Sequence, residues 1–143
     1  MAYSTLEDIW AQSDATDLRQ LTDDTGSGGH HDEAVVARAI ADADEEIDGY
    51  LGSRYALPLS AVPGVIRKYS VDIAIYNLHS RRGDAMPDIR RERYEHAVAF
   101  LGMVARGSIS LGGDDPDGNP PESGHAEYLS DDRVFTAAIM GRF

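Results

Sequence analysis

Apolar residues return at Val36, Ile40, Ala43, Ile47 and Tyr50, in steps of four, three, four and three. Such steps keep one side of a helix apolar over about four turns. Asp32 is placed to cap its start, with Glu33 in the first turn. Asp42, Asp44, Glu45, Glu46 and Asp48 fall on the other side, which predicts a solvated acidic face. The helix is expected to reach about Arg54, because Leu57-Pro58 then forces an extended connection.

A second stripe follows at Val62, Ile66, Tyr69, Ile73 and Tyr76, with Pro63 suited to a helix start. Val71, Ile75 and Leu78 form another row round the same helix, so it is predicted to be the central, most buried element. Gly83 and Pro87 punctuate the chain before a third stripe, Tyr94, Ala97, Val98, Leu101, Val104 and Ala105. Gly107 is expected to close that helix at its C′ position. Upstream, Ser4-Thr5-Leu6-Glu7 has the form of a capping box, predicting a short helix over about 5–12. Asp14 precedes a second short one carrying Leu18 and Leu21. Ser108–Leu111 reads as a short strand or a turn, and no longer alternating pattern occurs.

The fold class expected is therefore mainly α: a small bundle of three longer and two short helices with an extended C-terminal arm. Residues 1–112 would form the helical domain. Residues 113–127, rich in Gly, Pro and acids, would be a flexible linker. Residues 128–143, apolar again at Val134, Phe135, Ala138, Ile139 and Met140, would be a docking arm.

Composition sharpens this picture in two ways. The 143 residues suit one domain with a modest core. The chain has no cysteine, which excludes disulfides and thiolate metal sites. No apolar run is long enough to span a bilayer, and the start of the chain lacks a signal-peptide pattern. The net charge of −12 is unevenly spread. Residues 1–48 hold 13 acids and 2 bases, residues 49–112 hold 5 and 9, and residues 113–143 hold 7 and 2. An acidic front, a basic middle and an acidic tail suit either solvated helix faces or opposite faces of subunits meeting in an assembly.

Candidate chemistry is sparse. His30-His31-Asp32-Glu33 offers imidazole and carboxylate ligands, but the other histidines lie in different elements. Asp23, Thr25, Ser27 and Gly28 resemble the start of a calcium loop, yet Ala34 stands where the bidentate glutamate belongs. There is no nucleophile elbow, P-loop or dinucleotide fingerprint. No catalytic residue, cofactor or metal site is expected. The basic pairs Arg67-Lys68, Arg81-Arg82 and Arg90-Arg91 sit in a chain whose total charge opposes phosphate binding. They point to an acidic protein partner instead.

The ordered set "MAYSTLEDI", "LTDDTGSG", "DEAVVARAIADADEEIDGYLGSRYALPL", "VP", "VDIAIYNLHSRR", "RERYEHAVAFLGMVARGSISLG" and "MGRF" resembles the head–tail connector (neck adaptor) family of Mu-like tailed bacteriophages. The resemblance runs through nearly the whole chain and is densest at 33–112. It implies an all-α virion subunit of the neck, assembled in the host cytoplasm, forming a ring between the portal protein and a tail-side neck or terminator protein. The ring would hold twelve copies, by the symmetry of the portal. DNA would pass through without sequence-specific binding, and no membrane is involved. Carried onto this sequence, the contact residues would be Tyr50, Arg54, Tyr55, Leu57 and Pro58, with Arg54 and Tyr55 at the rim of the core, and Phe135, Ile139, Met140 and Phe143 in the arm. The competing reading is a small acidic soluble regulator that binds a basic protein.

Overall fold

The computed structural model describes residues 1–26, 28–83 and 85–112. Its elements are α1 (Leu6–Gln12), α2 (Ala15–Thr22), α3 (Glu33–Leu51), α4 (Gly64–Ser80) and α5 (Asp88–Ala105), with no strand among the described residues. The mainly α class and the order of two short and three long helices agree with the periodicity. The proposed linker 113–127 and arm 128–143, with Phe135, Ile139, Met140 and Phe143, lie outside the described residues.

Helix starts follow side-chain capping. Asp14 accepts from Thr16 N at 3.3 Å, and Asp32 accepts from Ala34 N at 2.9 Å. The capping box of α1 differs from the expected one: Thr5 caps, with Asp8 N bonded to its hydroxyl and the Asp8 carboxylate accepting from Thr5 N. Ser4 is unavailable because it is buried, its hydroxyl 2.7 Å from that of Ser70. A tertiary partner therefore moves the cap by one residue. Gly107, at φ +78, closes α5 as expected. Its amide and that of Ser108 bond to Val104 O and Met103 O at 3.0 and 2.9 Å, the paired pattern that satisfies the last carbonyls of a helix.

Helix α4 is the centre of the molecule. Ser70 through Ile75 are buried without interruption, and Ile66 and Leu78 extend the buried surface at either end. Helices α3 and α5 pack along it and against each other, while α1 and α2 cover α3 and α4. From α3 come Val36, Ala39, Ile40, Ala43, Ile47 and Leu51; from α5 come Ala97, Leu101 and Val104. Tyr76 and Tyr94 stack between α4 and α5, with centroids 4.0 Å apart. Tyr94 also donates to Glu46 Oε1 at 2.9 Å, and burial together with this bond pushes its phenol up to about 12.

Two expectations for α3 need correction. The helix ends at Leu51 rather than near Arg54; residues 52–54 form a turn in which Leu51 O accepts from the amides of both Arg54 and Tyr55, at 2.9 and 2.8 Å. Asp44 is not on the solvated face. It is 8 % exposed and accepts from Ser70 Oγ at 3.0 Å and Tyr3 N at 3.3 Å. Tyr3 also donates its hydroxyl to Asp48. The N-terminal segment is thus tied to α3 and α4 by a buried polar network that joins Tyr3, Ser4, Asp44 and Ser70.

Leu51 is wholly buried and Tyr50 half-buried. Leu51→Ala should cost about 2–5 kcal/mol in denaturant unfolding, and Tyr50→Ala clearly less; equal costs would contradict this placement. Burial raises the carboxyl of Asp44 despite its hydrogen bonds. Protonation then favours the folded state, so that contribution is full below the unfolded value of about 3.9 and is lost as pH rises through the higher folded value. Asp44→Asn, which can still accept both bonds, should show its largest stability difference from the parent near neutral pH. Melts repeated at falling pH should show that difference shrinking; a constant difference would refute the assignment.

Candidate functional site

Between α3 and α4 the chain makes an elbow, residues 52–63, and this is where the sequence concentrated its candidate contact residues. The two helices are fixed by their packing, so the elbow must reverse the chain in a dozen residues. Leu59 anchors its middle in the core at 3 % exposed, and the Leu57-Pro58 peptide bond is cis. Leu57 itself stands out at 37 % exposed, and Pro58 is exposed beside it.

Tyr55 lies deeper than a rim position: it is 3 % exposed and part of the core. Its hydroxyl accepts from Leu111 N at 3.0 Å, and the Arg54 guanidinium lies 5.8 Å from its ring. Arg54 Nη1 reaches Ile109 O at 3.5 Å. Glycine at 107 matters here too, because a Cβ at that position would sit 3.1 Å from Arg54 Nη1. Arg54 and Tyr55 therefore bind the segment after α5 to the elbow. A cleft of about 410 Å³ remains at this corner, lined by Tyr55, Leu59, Val62, Pro63 and Leu111 among others.

The structure thus brings together two things that are far apart in sequence. Tyr50, Arg54, Tyr55, Leu57 and Pro58 share one corner, and the described chain ends at Gly112 against that same corner. Ile109 and Leu111 were not singled out in the sequence. Their signal is faint: two apolar residues after a helix-closing glycine, with spacing that permits several outcomes.

Several of the remaining sequence candidates have partners within the molecule. Asp23 accepts from Thr25 N at 3.2 Å and Gly28 N at 2.8 Å, so its oxygens order their own loop. Arg81 and Arg82 reach that loop from the end of α4, each 2.7 Å from Asp24 Oδ1. Their hydrogen bonds hold the Asp24 carboxyl well below the usual carboxylate range. His31 meets the Trp10 ring edge-on at 5.0 Å, His30 is exposed, and Asp32 caps α3. Among the described residues no group of three or more His, Asp or Glu side chains is arranged to hold a metal ion, and no helix is long and apolar enough to cross a membrane.

A buried acid on α4 was missed. Asp72 sits with its side chain 1 % exposed, 3.6 Å from Lys68 Nζ and 3.8 Å from Arg93 Nη1. Burial raises its carboxyl, and the lysine and arginines oppose that shift. The clue in the sequence is an aspartate between Val71 and Ile73 in the most apolar helix.

Comparison with known proteins gives this arrangement a lineage. The family described as Bacteriophage Mu, Gp36 matches residues 3–129. The chain belongs to this family. A Mu-like prophage FluMu protein gp36 of Haemophilus influenzae is 46% identical over 86 residues, 60% of this chain and 59% of that protein. Gene product J of Escherichia phage Mu is 31% identical over 143 residues, 99% of either chain. The family match takes in all five helices and the elbow, so the corner described above is a feature of a Mu-type phage protein.

Tyr55→Phe should remove the bond to the Leu111 amide while keeping the packed ring. The expected result is a loss of about 1 kcal/mol and faster hydrogen exchange at Leu111. Unchanged exchange there would mean that the hydroxyl does not hold the segment.

Proposed function

We propose that this Mu-family protein is a structural component of the virion neck, a head–tail connector that forms a ring between the portal and the tail and has no catalytic role. What supports this reading is the resemblance of the ordered sequence blocks to connector proteins along nearly the whole chain, in a protein of the Bacteriophage Mu, Gp36 family. The fold supports it. A rigid helical body carries a corner where Leu57 and Pro58 are exposed, and from that corner the chain continues into residues 113–143. Loops and chain ends positioned by a rigid scaffold are common contact elements.

Charge supports the DNA-conducting part of the role. Asp42 and Glu45 lie exposed on α3, and carboxylates lining a channel repel phosphate rather than grip it. Partners on this reading are the portal protein, a tail-side neck protein and copies of the chain itself. The rival, an acidic regulator of a basic partner, draws its support from the net charge of −12.

Phage lacking this gene should accumulate filled heads and free tails, with joining restored by the full chain in trans. A variant deleted for residues 128–143 should melt like the parent yet fail to restore joining. Normal particles from the gene-deleted phage would overturn the connector role. Tight binding of the purified protein to duplex DNA at physiological salt would overturn the channel argument.

A further inference from the structure

Asp72 is buried on α4, and neither of its carboxylate oxygens has a hydrogen bond. Its neighbours are cations set slightly too far for one: Lys68 Nζ lies 3.6 Å from Oδ2 and Arg93 Nη1 3.8 Å from Oδ1. Burying a carboxylate in this way is costly, and the cost is offset only while those cations stay close.

Arg93 has a second task. The same Nη1 that faces Asp72 donates to Gln12 Oε1 at 3.4 Å, and Arg90, one turn earlier on α5, donates to Gln12 O at 3.0 Å. Gln12 is the last residue of α1, whose last turn carries no basic residue of its own. Two arginines of α5 therefore hold the end of α1, just before its joint with α2. The charged groups facing Asp72 are Lys68 from α4 and Arg90 and Arg93 from α5. Arg93 repels Arg90, and Asp17 of α2 attracts it.

We propose that Asp72, Arg93 and Gln12 form a pH-sensitive clamp on the joint between α1 and α2, closed while Asp72 is ionised and open once it is protonated. With the carboxylate charged, Arg93 is drawn inward to the point where its Nη1 meets both Asp72 and Gln12. Protonation removes that attraction and leaves Arg90 and Arg93 repelling each other beside Gln12, so the end of α1 lifts. Arg93 favours the carboxylate only in the closed form. Protons therefore favour the open form, and closure is lost as pH falls through the titration of Asp72. Burial is the largest influence on this carboxyl and raises it, which brings the change nearer to neutral pH than for an exposed aspartate. Global unfolding is a separate equilibrium, in which the same raised carboxyl means that protonating Asp72 favours the fold. Ile9, wholly buried, keeps the middle of α1 docked, so the movement is confined to the residues after it. What widens is the apolar cleft of about 290 Å³ at the joint, lined by Trp10, Ser13, Ala15, Leu18 and His31.

Amide hydrogen exchange, corrected for its intrinsic pH dependence, tests the clamp on the full chain. Asp72→Asn keeps the shape of the side chain and removes its charge. At about pH 7 the amides of Ala11 and Gln12 should lose about tenfold in protection relative to the parent, while those of Ile73, Ile75 and Leu101 keep the parent values. As the pH is lowered to about 4, parent and variant should converge at Ala11 and Gln12, because the parent then also carries a neutral residue 72. Arg93→Gln, at a partly exposed position, removes the strut itself and should leave those two amides weakly protected at every pH. Three results would each overturn the clamp: equal protection of Ala11 and Gln12 in parent and Asp72→Asn near neutral pH, no convergence on acidification, or a loss in Asp72→Asn shared equally by the core amides. An Arg93→Gln variant that kept the parent's protection and its pH dependence would overturn it too.

Discussion

Helix α4 is apolar round most of its circumference, and water must be excluded from it on several sides at once. One amphipathic helix covers only a stripe, so α3 and α5 both pack along it and the two short helices close the remaining gaps. Each apolar side chain so covered contributes about 1.5–3 kcal/mol. The polar groups that α4 carries into this interior then dictate further structure. Ser70 draws in Asp44 and Ser4, and with them the whole N-terminal segment. Asp72 draws Lys68 and Arg93 to the outer side of α4 and α5. Those two buried groups account for much of what surrounds the core.

The same constraint divides the molecule into a rigid body and surfaces available for contact. Where α3 hands over to α4, the elbow cannot bury Leu57 and Pro58 because Tyr55 and Leu59 already occupy the core below them. Arg54 and Tyr55 turn inward to hold the segment that follows α5, which fixes where the chain leaves the body. A protein that joins other proteins benefits from such placement, because contact elements that are already oriented lose less entropy on binding.

The charge pattern takes a more definite meaning in three dimensions. In sequence, residues 1–48 are acidic and 49–112 basic; in the fold, some of that charge cancels internally, as Arg81 and Arg82 close on Asp24. Among the described residues the charges left exposed include Glu33 and Glu45 on α3 and a mixed group, Asp88, Arg91 and Glu92, at the start of α5. Exposed ion pairs contribute little to stability, so these residual charges matter chiefly for which surfaces can meet.

Local periodicity determined the helices, their order, the central position of α4 and the glycine that ends α5, because burying one side of a helix leaves a repeat that any folded arrangement must respect. Caps at Asp14 and Asp32 were legible for the same reason: the partner amides are two or three residues away. The tertiary structure alone decided what became of residues whose partners are distant. Asp44 looked like one more solvated acid until Ser70, 26 residues on, and Tyr3, 41 residues back, gave it hydrogen bonds in the interior. Ser4 left the expected cap for Ser70, and Tyr55 turned from the rim into the core to hold Leu111, 56 residues away. A polar side chain's fate depends on which donors and acceptors the completed packing brings within about 3 Å, and that proximity leaves no trace in the spacing of its neighbours along the chain.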